Sequence, residues 1–317
     1  MDAALHILAI TGPIYLTIAL GYLLTRRGLF AKADMALFGK FTLHLALPAL
    51  LFNALSRRSV AEVLNLQYLA AYALASVVLA MGSYVWARRM QHDEPGLACV
   101  KAMGMACPNS GFVGYPIMLL TLGPVAGVAL ALNMVVENLL VIPLLLGVAE
   151  SALAGGRSWT ATFQQTFRQL LTNPLIIAIV CGFLVSLSGL QVPVVLSRSI
   201  DLFAGASAVL SLFVIGGSLV GLQLQGQFGT MLQIALGKLL LHPLLMLGVS
   251  GWLITVAPTE LRTALLITGA LPMMGIYTIL SQRLGHGEIS AATLLLTTVL
   301  SFVSLSGLLW ALQSGLL

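Results

Sequence analysis

Apolar residues run through this chain in long, unalternating stretches, separated by short clusters of charge, glycine and proline. A helix needs about 20 apolar residues to cross a bilayer, whereas barrel strands alternate and are shorter. The pattern predicts spans at 6–24, 34–55, 66–87, 97–121, 125–149, 172–188, 194–222, 230–256, 261–283 and 289–313. Most connections are short; the longest, 150–171, holds Gly155, Gly156 and an amphipathic run through Phe163, Phe167 and Arg168. The first apolar run has no basic leader or small-residue cleavage site before it, so it reads as a retained span. The expected fold is an all-α polytopic membrane protein of about ten transmembrane helices.

Two of these spans carry residues that oppose a continuous helix. The fourth contains Pro108, Asn109, Gly111, Gly114 and Pro116, and the ninth contains Pro272 and Gly275. Each proline removes a backbone donor and crowds the preceding turn, and each glycine costs about 1 kcal/mol of helix propensity. An interruption at membrane depth is either a kink that shapes packing or an unwound segment lining a binding site.

The two stretches also correspond. Pro13 and Pro174, Gly21 and Gly182, Tyr22 and Phe183, and Gly28 and Gly189 all stand 161 positions apart. Pro108 and Pro272, like Gly111 and Gly275, stand 164 apart. The chain therefore reads as a five-span unit at 1–150, a linker at 151–171 and a second copy at 172–317. An odd number of spans per copy inverts the second in the membrane, as in secondary transporters. Interrupted helices at corresponding places favour a site over a kink.

Composition excludes other classes. Of 317 residues, 59% are hydrophobic and 8% charged, where a soluble domain carries about 25% charged residues. The net charge of +5 is scattered in pairs rather than gathered in a stripe, so no nucleic-acid partner is expected. Read by the positive-inside rule, Arg26, Arg27, Lys32, Arg88, Arg89, Arg157, Arg168 and Arg283 lie inside, against Arg57, Arg58, Arg198 and Arg262 outside. Both termini are then expected outside. The three cysteines sit in apolar segments without metal-ligand spacing, and no nucleophile, metalloprotease or phosphate-loop motif is present; neither a metal, a cofactor nor an enzyme is expected.

The residues after each proline would offer backbone N–H groups and the positive end of a half-helix dipole to an anion. The candidate site is Pro108, Asn109, Ser110 and Gly111 on one side and Pro272, Met273, Met274, Gly275 and Tyr277 on the other. Asn109 reads as a ligand contact or as a helix cap. Glu137, beside Asn138, lies mid-span where a charge costs about 2.5–3.5 kcal/mol, so it is a proton-coupling group or a structural acid. Lys40 with His44 and Lys238 with His242 share helix faces, either as a cationic surface or as snorkelling side chains. Snorkelling is preferred for Lys40 and Lys101. Asn53 and the methionine pair are packing residues or ligand contacts, and the methionines would form an adaptable apolar wall.

Leu47-Pro48-Ala49-Leu50-Leu51-Phe52, Asn109 through Pro116, Glu137-Asn138 with Ile142-Pro143, Asn173-Pro174-Leu175 with Gly182, and Lys238 with His242-Pro243 together resemble the auxin efflux carrier family. The resemblance is to its bacterial branch of PIN-like transporters, which includes malonate and malate permeases. It implies a ten-helix fold similar to bile acid:sodium symporters, with spans four and nine crossing. It also implies a scaffold of spans one, two, six and seven that forms homodimers, and a transport domain of spans three to five and eight to ten. Function is then expected to be secondary transport of small organic anions by alternating access in a bacterial inner membrane. Dicarboxylates are preferred; an auxin-like or amino-acid-like substrate, or a receptor that binds without transport, stays open.

Overall fold

A computed structural model describes residues 2–59, 63–152, 168, 170–222 and 228–316. The amphipathic run expected through Phe163 and Phe167 lies outside the described residues. Within them the chain is helical and forms no strand. Seven helices are long and apolar enough to cross a bilayer. They are α1 (Asp2–Arg26), α2 (Lys32–Ser56), α3 (Leu66–Arg89), α6 (Val125–Ala149), α8 (Val194–Ser218), α9 (Phe228–Leu253) and α12 (Gly287–Gln313). The sixth expected span is the 15-residue α7 (Pro174–Ser188). The fourth is divided into α4 (Pro95–Ala106) and α5 (Ser110–Leu122), and the ninth into α10 (Thr259–Ala270) and α11 (Ile276–Arg283). The protein is an all-helical integral membrane protein.

Local sequence sets the helix ends. Asn173 caps α7 by accepting the Leu175 N–H at 2.9 Å, and Pro174 occupies the first turn, where no donor is needed. Left-handed glycines follow α1 and α7: Gly28 (φ +80°) donates to Thr25 O, and Gly189 (φ +64°) to Ser186 O. A second regularity runs through the spans. Thr42–Ala46, Ser110–Gly114, Glu137–Val141 and Gly237–Leu241 are π turns, and each is followed by one residue and then a proline: Pro48, Pro116, Pro143 and Pro243. A proline ring collides with the carbonyl four residues earlier, and widening that turn relieves the collision.

The chain forms two compact units. The first holds residues 1–66, 110–134 and 171–221, so it contains α1, α2, α5, the beginning of α6, α7 and α8. Its helices meet through small residues: α1 packs on α8 and α7 on α2. A β-carbon on Gly21 would lie 2.3 Å from Phe213 O, and one on Gly216 1.9 Å from Ile18 O, so the α1 and α8 backbones approach as only glycine permits. The second unit holds residues 67–109, 135–170 and 222–317, with α3, α4, the rest of α6 and α9 to α12. Here α12 packs on α9, α10 and α11, and α4 packs on α6, α9 and α11.

Candidate functional site

The geometry begins where α4 and α10 stop, inside the second unit. Cys107 (φ −102°, ψ 100°) and Leu271 (φ −66°, ψ 152°) leave helical conformation. The extended residues then meet: Asn109 N donates to Pro272 O at 2.8 Å and Met274 N to Cys107 O at 3.1 Å. They form one antiparallel bridge between Pro108 and Met273. This exchange pairs backbone groups that unwinding would otherwise leave unsatisfied in an apolar interior. It also accommodates both prolines, because the bridge takes N–H groups only from Asn109 and Met274.

The bridge sets a register that the sequence did not predict. Its local two-fold relates Pro108 to Met273, 165 positions on, rather than to Pro272. Two of the N–H groups expected to face an anion, those of Asn109 and Met274, are already bonded across the bridge. Pro108, Asn109, Pro272, Met273 and Tyr277 are buried; Met274 is half-buried and Gly275 exposed. A β-carbon on Gly104 of α4 would lie 3.2 Å from the Tyr277 hydroxyl. Ser110 and Gly111 belong to the first unit, where the Asn133 amide reaches Ser110 Oγ at 3.5 Å and Gly111 lies against Leu47.

A buried polar network lies in the second unit. Tyr72 donates its hydroxyl to Glu137 Oε1 at 2.7 Å. One turn further along α3, Ser76 Oγ stands 3.2 Å from His242 Nε2. Lys238 Nζ bonds His242 Nδ1 at 2.8 Å and Gly269 O at 2.9 Å. With Lys238 as donor, Nδ1 accepts, so Nε2 carries the ring proton toward Ser76. None of these side chains exceeds 2% exposure. The lysine therefore holds a carbonyl near the end of α10, two residues before the interruption, where a cation is favoured by the helix dipole.

The other expected residues are elsewhere. Asn138 is half-buried beside Glu137. His44 is exposed, with Nδ1 3.0 Å from Lys40 O, and Lys40 is exposed too. Asn53, in the first unit, donates to Asp201 at 2.7 Å alongside Arg57, which grips both oxygens of the same carboxylate. Lys101 does not snorkel to solvent: it is 3% exposed and paired with Asp93. Tyr72, Ser76, Asn133 and Asp93 were not singled out by sequence. The available signal was helical spacing, since Tyr72 and Ser76, and Asn133 and Glu137, stand four residues apart. Among the described residues no three His, Cys, Asp or Glu side chains converge as metal ligands.

Comparison with known proteins gives the arrangement its context. The profile of the family described as "Membrane transport protein" matches residues 7–309. A protein of Rhizobium meliloti (strain 1021) named "Putative malonate transporter" is 29% identical over 315 residues, covering 96% of this chain and 95% of that protein. "Uncharacterized transporter YfdV" of Escherichia coli (strain K12) is 25% identical over 316 residues, 96% of each chain. An "Uncharacterized transporter" of Methanothermobacter thermautotrophicus is 28% identical over 105 residues, a third of each. The chain belongs to the membrane transport protein family, that of the auxin efflux carriers.

Proposed function

We propose that the protein is a secondary transporter of small organic anions, dicarboxylates such as malonate or malate, working by alternating access in the bacterial inner membrane. The reading rests on one observation above the rest: the reciprocal backbone bridge of Cys107, Pro108 and Asn109 with Pro272, Met273 and Met274. Two helices interrupted within apolar stretches and joined to each other are the arrangement in which transporters bind substrate. Within the second unit, the helix that resumes at Ile276 has its positive dipole end near the crossing, where a carboxylate would be held beside Asn109. Glu137, bonded to Tyr72, is the group that takes up and releases a proton during the cycle. The malonate named for the Rhizobium meliloti relative supports the dicarboxylate class.

The ten spans form two inverted repeats in this reading. Matching glycine caps after α1 and α7, and the reciprocal pairing of α1 with α8 and α7 with α2, support it. Spans one, two, six and seven form the scaffold and dimerise; spans three to five and eight to ten carry the substrate. The lysine and arginine bias puts both termini in the periplasm.

The test is binding followed by uptake. Malonate, malate, acetate, an indole carboxylate and an amino acid are screened for thermal stabilisation of the purified protein, across pH and with or without sodium. Stabilising compounds are then assayed in proteoliposomes. Malonate or malate is expected to stabilise and to accumulate or exchange, and Asn109→Ala to weaken both about tenfold. Binding without vesicle uptake under any gradient would identify a receptor instead, and stabilisation by monocarboxylates alone would overturn the substrate class.

A further inference from the structure

Away from the crossing, the second unit holds an open pocket of about 600 Å³ lined by Lys101, Asp93, Gln91, Gln233, Gly229 and Thr230. Lys101 is 3% exposed, yet its ammonium reaches this wall, donating to Gln91 Oε1 at 2.6 Å and Asp93 Oδ2 at 2.5 Å. Two of its three donors are thus engaged. The Gln91 and Gln233 side-chain amides bond each other at 3.1 Å and tie the α3–α4 loop to α9.

The cavity already holds a carboxylate, and it is the protein's own. Asp93 is brought there by a loop in which His92 takes φ +58°, the one positive φ outside glycine among the described residues. Asp93 N donates to Ala87 O, and Arg88 donates to Asp93 O. The Asp93 carboxylate is thus presented to Lys101 by the short connection between α3 and α4. Lys101 also stands on α4, six residues before Cys107, on the helix that enters the bridge.

We propose that this cavity is a second carboxylate subsite, on the inner side of the membrane, where the substrate's carboxylate displaces Asp93 from Lys101. The proposal rests on the reading that the chain transports small carboxylates, and on the orientation that puts Arg88 and Arg89 inside. Asp93 acts as a tethered competitor that holds the subsite closed when substrate is absent. Lys101 supplies the charge, and the glutamine amides supply donors for the second polar end of a dicarboxylate.

Trp86 lines the same cavity and gives a local readout. Malonate is titrated into the full-length protein in nanodiscs while tryptophan fluorescence is followed, with Trp86→Phe identifying the signal from this position. A saturable change lost in Trp86→Phe is expected. Its midpoint should rise about tenfold in Lys101→Gln, stay near wild type in Lys101→Arg, and fall several-fold in Asp93→Asn. Melting curves without malonate check that each variant is folded, and Asp93→Asn tests the competitor even if the lysine variant is not. No malonate-dependent change at Trp86, or wild-type midpoints in both Lys101→Gln and Asp93→Asn, would overturn the subsite. Vesicle uptake separates the two readings: uptake with unchanged midpoints removes the subsite alone, whereas a Trp86 response without uptake removes transport and leaves the subsite.

Discussion

Tyr72 gives its hydroxyl to Glu137, and both side chains are buried, at 0% and 2% exposure. Tyr72→Phe removes one donor from a buried acid and is expected to destabilise the protein by about 1–3 kcal/mol, read as a lower melting temperature in detergent. Glu137→Gln keeps the shape and an acceptor while removing the ionisable group. Malonate uptake in proteoliposomes is expected to persist in this variant and to lose its dependence on pH; a variant with wild-type pH dependence would remove the proton role. Glu137, Lys238 and His242 were legible because ionisable groups are costly in apolar runs. Tyr72 and Ser76 are ordinary in such runs, and only the fold turns them toward a partner. Lys101 was misread for a different reason: its distance from the helix end suggested a route to solvent, and the left-handed turn at His92 that brings Asp93 back over it is not encoded by a glycine.

At the scale of the elements, proline both reveals and conceals. Interruption was legible from Pro108 and Pro272, but the two were matched to each other, whereas the bridge aligns residues by which of them must donate an N–H. Proline is acceptable at a position whose carbonyl accepts or at an unbonded one, so the sequence alone could not choose between them. The π turns before Pro48, Pro116, Pro143 and Pro243 were in principle readable, since the spacing repeats; they bring Ser110, Glu137 and Lys238 onto widened turns. Glycines divide just as clearly by surroundings. Within α1, Gly21 faces the α8 backbone while Gly12 has nothing within 4 Å of its absent β-carbon. Gly21→Ala is expected to cost about 1–3 kcal/mol by forcing α1 away from α8, against less than about 0.5 kcal/mol for Gly12→Ala. Equal melting temperatures for the two variants would mean that the close approach of α1 and α8 contributes little.

For the whole molecule, the inverted arrangement makes a claim that neither unit carries by itself: equivalent loops of the two repeats must lie on opposite membrane faces. Leu29 and Leu190 are such a pair, 161 positions apart, each following a left-handed glycine and each well exposed, at 68% and 69%. One of the boundaries between the two units falls at Asn109–Ser110, so the fourth span has α4 in the second unit and α5 in the first. The topology can be read directly. In a background with Cys181 replaced by serine, because Cys99 and Cys107 are buried and Cys181 is exposed, a membrane-impermeant maleimide is applied to intact cells with an opened outer membrane. Leu190→Cys is expected to label from outside and Leu29→Cys only after the inner membrane is permeabilised. If both label from the same side, the second copy enters the membrane as the first does, and the duplication is parallel. The crossing of the interrupted helices would then lose the two-sided symmetry that lets one site face each side of the membrane in turn.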